Sequence, residues 1–484
     1  MTGQRTEHDF LGDMTLPADT LYGIQTARAL ENFPITDVPV SHFPELVAAL
    51  AMVKKACALA NRDLGALEEY FCDRIAEACD DVLGGRGHAY FAVDMIQGGA
   101  GTSTNMNANE VIANIALTNM GHFPGDYDRL HPNDHVNCSQ STNDVYPTAM
   151  RLAVLGQCDA LMAAQEKLRR AFEAKALEFA GIRKVGRTQL QDAVPMTLGM
   201  EFAAFAATVQ EDIERIVQLS ELLKEVNLGG TAIGTGINAP VGYQERAVAH
   251  LSAISGYNLV KSKDLIEATS DTGAFVTFSG VLKRIAVKLS KICNDLRLLS
   301  SGPRAGFGEI RLPAVQPGSS IMPGKVNPVI PEVVNQVAYQ VIGNDLTVTF
   351  AAEAGQLQLN AMEPVMLFNV LQSLRILTRA ITVLTERCVE GIKADVKRCD
   401  QLVDGSLILS TALVPHIGYE DAARVAGLAR ERGLTVADTV VELGLMTQEN
   451  FELMKRHAWA FSGDDVLGGA YAATQVAVNR GMEN

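Results

Sequence analysis

The chain has 484 residues, 48% of them hydrophobic and 20% charged, and a formal net charge of -15. That length exceeds one ordinary domain and can bury large cores, so a soluble globular protein of two or three domains is expected. The acidic balance without any run of Lys and Arg excludes nucleic acid as a partner. No apolar leader and no uninterrupted apolar run of membrane-spanning length is read, so no membrane partner and a cytoplasmic location are expected.

In chain order, residues 1 to 142 read as a mixed region with glycine-rich loops around Gly84-Gly85 and Gly98-Gly99. Eight cysteines are scattered with no C-x-x-C pair, so they read as reduced thiols rather than a disulfide framework or a zinc site. Gly98 to Asn107 crowds hydroxyls, amides and backbone donors into one segment, where Gly101 permits close approach to a ligand. His131 and His135 have the spacing of a metal pair, but Pro132 and Asn133-Asp134 between them argue for a loop, and no third ligand accompanies them. Ser139-Gln140-Ser141-Thr142-Asn143-Asp144 is a second polar cluster just before the first long helix, where backbone N-H groups favour a carboxylate. Ordinary N-capping is the competing account of such a cluster.

Proline placement sets the middle of the chain. The windows Pro147 to Pro195, Pro195 to Pro240, Pro240 to Pro303, Pro331 to Pro364 and Pro364 to Pro415 lack the helix-breaking residue, so five long helices are predicted. Leu282, Ile285, Leu289, Ile292, Leu296 and Leu299 recur three and four apart, as do Val370, Leu374, Leu377, Ile381, Leu384 and Cys388. These are seams for helix packing, and the fold class is mainly α. Rods of this length cannot cover every apolar face within one chain, which points to association through a shared helical bundle.

Between two of the helices, Gly186 to Met196 again joins hydroxyl, amide and cation. Gly229-Gly230-Thr231-Ala232-Ile233-Gly234 follows a predicted helix end at Leu228 and is read as a helix-terminating loop lining a cleft. The most telling run is Gly318-Ser319-Ser320-Ile321-Met322-Pro323-Gly324-Lys325-Val326-Asn327-Pro328. Glycines at both ends and two prolines suit a closing loop that delivers a base to an anionic substrate. It is not a phosphate-cradling loop, because five residues separate its glycines and Val326 follows Lys325. From about residue 398 a small helical terminal unit is expected.

These blocks, in this order, resemble the aspartase/fumarase superfamily over essentially the whole chain. The Gly318 to Pro328 run resembles its signature, and Asp9-Phe10-Leu11-Gly12 with Pro17 to Gly23 resembles its N-terminal block. The resemblance implies a three-domain subunit: an N-terminal mixed domain (1–142), a central long-helix bundle domain (143–397) and a small C-terminal helical domain (398–484). It also implies a homotetramer with a twenty-helix bundle core, each active site being built from three subunits. The substrate is then a small-molecule dicarboxylate, and no organic cofactor is needed. An activating divalent cation is not readable from sequence.

By the same resemblance Ser319 is the catalytic base and Lys325, with Asn327 and Thr188, holds the α-carboxylate. Thr102, Ser141 and Thr142 donate to the β-carboxylate, and Asn143 and Gln189 lie near the leaving nitrogen. Ser320 and Glu332 support them, Glu332 having an equally good account as a carboxylate in a first helical turn. Fumarases carry a histidine where this chain has Gln189, which cannot exchange a proton near neutral pH. Hydroxide leaving needs a proton donor, whereas ammonia does not. The implied activity is therefore reversible deamination of L-aspartate to fumarate, with fumarate hydration or a catalytically silent structural role as the alternatives.

Overall fold

The computed structural model describes residues 3–459, so residues 460–484 of the expected C-terminal domain lie outside the described residues. The fold is mainly α. A hairpin of β1 (Gln4–Asp9) and β2 (Gly12–Pro17) leads into α1 (Ile24–Asn32), α2 (Pro44–Asp63), α3 (Glu69–Leu83) and α4 (Thr102–Asn119). After α5 (Thr142–Glu178) comes a second hairpin, β3 (Arg183–Thr188) and β4 (Gln191–Thr197), then α6 (Leu198–Ser220), β5 (Glu225–Val226), α7 (Tyr243–Ser255), β6 (Val260–Lys261) and α8 (Leu265–Ser270). The chain continues through α9 (Gly273–Leu299), β7 (Ile310–Arg311), α10 (Val329–Glu353), α11 (Glu363–Arg387) and β8 (Lys393–Ala394). The short helices α12 (Val396–Gly405), α13 (Leu409–Ile417), α14 (Tyr419–Arg432), α15 (Val436–Glu442) and α16 (Gln448–Ala458) follow.

The chain divides into two compact units, and each boundary falls inside one of the long helices α5, α6, α9, α10 and α11. The first unit comprises Met1–Met162, Arg215–Ile285 and Tyr339–Leu377. In it α2 packs on α3 and α7, and Val47, Leu50, Cys57 and Asn61 lie on one stripe of α2 with no exposed surface. The start of α1 is held by carboxylates from elsewhere: Glu110 accepts from the backbone N-H of Gly23, Gln25 and Thr26 and from the Thr26 hydroxyl, and Glu7 accepts from Ile24. Gly23 must lack a side chain there, because a Cβ would sit 2.7 Å from Glu7 Oε2 and 2.9 Å from Glu110 Cδ. The second unit comprises Ala163–Glu214, Ala286–Ala338 and Thr378–Asn484. Its helices α12 to α16 close on a core of Val403, Leu409, Leu413, Val425, Val440 and Phe451, to which Val185 of β3 belongs.

Both predicted apolar seams are buried, no residue of either being more than 4% exposed. The proline windows misplace the helix starts. Pro331 and Pro364 lie in the first turns of α10 and α11, where a missing N-H costs nothing. Pro147 stands inside α5. The Asn143 carbonyl that loses its helical donor to Pro147 accepts instead from Asn227 Nδ2 at 3.0 Å. The third window holds α7, α8 and α9 rather than one helix, and Gly186 to Met196 is a β-hairpin rather than a plain connection. The helix expected to end at Leu228 ends at Ser220, followed by a single 3-10 turn and β5. The His131 to His135 segment is a π-helical turn, Pro132–Val136, rather than a loop. His135 stacks on Phe71 with ring centroids 4.1 Å apart, and its Nδ1 accepts from the His131 N-H.

Candidate active site

In the first unit, Thr102 opens α4 and Thr142 opens α5. Gly101 precedes Thr102 with φ 84°, and a Cβ on it would lie 2.5 Å from the Tyr146 ring, so the α4 start sits directly on α5. The Thr102 hydroxyl donates to Gly99 O at 2.8 Å. Asn105 on α4 donates to Thr142 Oγ1 at 3.1 Å, and the Asn143 N-H donates to Ser141 Oγ at 3.2 Å. Both Oγ atoms are thus acceptors within the chain, and each keeps its own proton to give outward. That is the polarity a carboxylate requires.

Asp144 fixes the block from beneath. Its buried carboxylate accepts from the N-H of Ser141, Gly229 and Thr231, and burial, opposed by those three donors, pushes it up to about 6. The Gly229 loop thereby wraps the block, and Asn143 Nδ2 donates to Ala232 O at 2.8 Å.

In the second unit, Ser319, Ser320, Lys325 and Asn327 share one loop closed on itself. The Gly318 N-H donates to Lys325 O and Asn327 Nδ2 donates to Gly318 O, each at 2.8 Å. Ser319 Oγ, half-buried, accepts from the N-H groups of Ile321 at 3.2 Å and Met322 at 3.1 Å. Two convergent backbone donors on one hydroxyl oxygen stabilise its anion, since they bind the alkoxide more tightly than the alcohol. Lys325 is exposed and makes no ion pair among the described residues. With Asn327, Arg297, Arg311 and Ser300 it lines a cleft of about 580 Å³. Glu332 lies in the first turn of α10, its N-H donating to Pro328 O.

Thr188 and Gln189 stand exposed at the tip of the β3–β4 hairpin, where Gln189 (φ 53°) and Leu190 (φ 61°) form a two-residue turn with both centres left-handed. The hairpin stem is fixed by buried charge. Arg187 donates to Glu309 Oε1 at 2.8 Å and lies over the Phe307 ring, while Lys184 pairs with Glu201 and stands 3.6 Å from Glu309 Oε2. Glu309 directly precedes β7, on the stem of the Ser319 loop.

Residues 12–343 match the Lyase family and residues 409–455 match the fumarase C C-terminus. The chain belongs to this lyase family. The lyase is 62% identical over 449 residues to an aspartate ammonia-lyase of Pseudomonas aeruginosa, covering 93% of this chain and 95% of the relative. It is 53% identical over 470 residues to the aspartate ammonia-lyase of Escherichia coli, covering 97% of each. Among solved structures it resembles a fumarate lyase:delta crystallin from Brucella melitensis bound to cobalt (TM-score 0.93, 59% identity, 95% of this chain and 100% of that one). It also resembles a class II fumarase from Schistosoma mansoni (TM-score 0.89, 34% identity, 93% and 98%). The resemblance to the aspartase/fumarase superfamily is borne out.

Sequence reasoning gave no role to the residues that hold the hydroxyl blocks in place: Asn105 and Asp144 stood inside the polar clusters without one, and Asn137 and Asn227 went unremarked, as did Glu309 beneath the β3–β4 hairpin. The one signal available was polar residues spaced along otherwise apolar helices, as in Asn105 and Asn109 on α4, both buried. Among the described residues no group of three or more His, Cys, Asp or Glu could hold a metal ion.

Proposed function

We propose that this lyase catalyses the reversible deamination of L-aspartate to fumarate and ammonia. The observation that carries the reading is the run of relatives named aspartate ammonia-lyase at 53% to 63% identity across more than nine-tenths of this chain. The hydroxyl blocks and the Ser319 loop supply chemistry that fits. Ser319, as alkoxide held by the Ile321 and Met322 N-H groups, takes the proton from the carbon beside the β-carboxylate. The electron pair moves into that carboxylate to give a doubly negative aci-carboxylate, met by the outward protons of Ser141 and Thr142 and by that of Thr102 once its hydroxyl turns from Gly99 O. Collapse of the dianion breaks the carbon–nitrogen bond, releasing neutral ammonia and leaving the proton on Ser319. Lys325, Asn327 and Thr188 hold the α-carboxylate, with Asn143 and Gln189 beside the leaving nitrogen and Ser320 and Glu332 supporting.

Self-association belongs to the same proposal: a homotetramer of three-domain subunits (1–142, 143–397, 398–484) acting in the cytoplasm on a small dicarboxylate, with no organic cofactor. Its support is α10, where Tyr339, Ile342, Leu346 and Phe350 are all exposed and recur three and four apart, an apolar stripe suited to a neighbouring helix. The test is release of fumarate, followed by its ultraviolet absorbance, and of ammonia from L-aspartate, with malate as the competing substrate. Fumarate from malate and none from aspartate would replace deamination by hydration, the reading favoured by the likeness to the Schistosoma fumarase. No turnover of either would leave a structural role.

A further inference from the structure

Lys54 has no exposed surface and sits on the same α2 stripe as Val47, Leu50 and Cys57. Its ammonium donates to two neutral amides, Asn137 Oδ1 at 2.9 Å and Gln140 Oε1 at 2.8 Å. Among the described residues no carboxylate lies within ion-pair distance of it. The titratable groups around it are the thiols of Cys57 on α2 and Cys79 on α3 and the carboxylate of Asp144 on α5; Tyr243 of α7 contacts Cys57. The Asp144 oxygens are occupied by three backbone N-H groups.

Burying an ammonium without a counter-ion is costly, and a methionine of similar length would fill the space without that cost. The α2 core itself has no use for the charge. What Lys54 holds is the segment that presents the hydroxyls. Asn137 Oδ1 accepts from Lys54 and also from Asn105 Nδ2 at 3.2 Å and Asn109 Nδ2 at 3.1 Å, three donors on an oxygen with two lone pairs. Asn105 Nδ2 in turn donates to Thr142 Oγ1. Gln140, its oxygen on Lys54, gives both amide protons to Val136 O and Cys138 O and so locks the turn before Ser141.

We propose that Lys54 is a positioning residue for the carboxylate block: it fixes residues 137–143 so that Ser141 and Thr142 present their protons outward, and its unneutralised charge favours the more negative form of whatever carboxylate they hold. This rests on the deamination reading, in which that carboxylate gains a second charge as the proton leaves.

Lysine's usual range is depressed here by burial, to about 8. The cation is therefore lost as pH rises through about 8, while the unfolded chain keeps its proton to higher pH. Folding stability contributed by this group rises across that window, because the unfolded state binds more protons there. Loss of activity caused by loss of this cation therefore brings no loss of the stability that Lys54 itself contributes.

The test is Lys54→Met in the full chain. We expect kcat for aspartate to fall about tenfold, less than the ~10²–10³ lost with a donor that touches the reacting group, with a smaller change in KM because the added charge forms after binding. The decline of wild-type kcat/KM above pH about 8 should be missing in the variant. Should Lys54→Met fail to fold, the wild type decides alone: amide exchange at residues 137–143 should quicken above pH about 8 relative to α3. Equal kcat in variant and wild type, or exchange at 137–143 that tracks α3 through that range, overturns the proposal. A wild type that releases no ammonia from aspartate overturns the deamination reading instead, and the exchange measurement still reports on Lys54.

Discussion

Replacing Glu110 with alanine strips the start of α1 of its acceptor. Three of the four groups that Glu110 receives, the N-H of Gly23 and the N-H and hydroxyl of Thr26, are buried bonds at 2.9, 3.1 and 2.6 Å. A buried donor left without a partner costs about 1–3 kcal/mol, so Glu110→Ala should cost at least about 3 kcal/mol. Glu110→Gln keeps one carbonyl oxygen for those three and faces its amide toward the Gln25 N-H, so about 1 kcal/mol is expected. Burial outweighs the donors and pushes Glu110 up to about 7. A carboxyl whose folded value is raised contributes stability that is fully present below its unfolded value, 4.5, and is lost as pH rises through about 7. The advantage of wild type over Glu110→Gln should therefore shrink between those limits. Urea unfolding at a series of pH values, at fixed protein concentration, measures both quantities. An alanine variant within about 0.5 kcal/mol of wild type would refute the capping argument, and a wild-type advantage independent of pH would refute the titration.

Ser319→Ala should lower kcat by about 10³-fold or more with the fold and oligomer unchanged, read by fumarate absorbance and native mass; substantial retained turnover removes Ser319 as the base. Lys325→Ala should raise KM for aspartate about tenfold or more through loss of a charge-assisted contact, and an unchanged KM contradicts the assignment. Phe350→Asp on the exposed stripe of α10 should shift the species in solution toward monomer on analytical ultracentrifugation; an unchanged mass would move the interface elsewhere.

The seams of α9 and α11 were legible because burial imposes a spacing of three and four on apolar residues whatever the partners are. Helix starts were not, since a proline ends a helix only when the freed carbonyl finds no other donor, and Asn227 supplies one for Asn143 from 84 residues away. The β3–β4 hairpin was missed because Gln189 and Leu190 adopt left-handed backbone without the glycine or asparagine that announces such a turn. Ser141, Thr142 and Ser319 stood out as hydroxyl clusters. Lys54 did not, because its partners lie 83 and 86 residues further along and only folding brings them to it.

The bonds from Gly318 to Lys325 and from Asn327 to Gly318 make the base-bearing segment a small macrocycle tied by two latches. Such a ring travels as one piece, so capture of a substrate need order only the flanks on either side and not the eight residues between Gly318 and Asn327. Ile321 and Met322 ride on its outer rim, exposed to 85% and 48%. Substitutions there can reshape what the ring meets while both latches, and with them the seat of Ser319, stay shut.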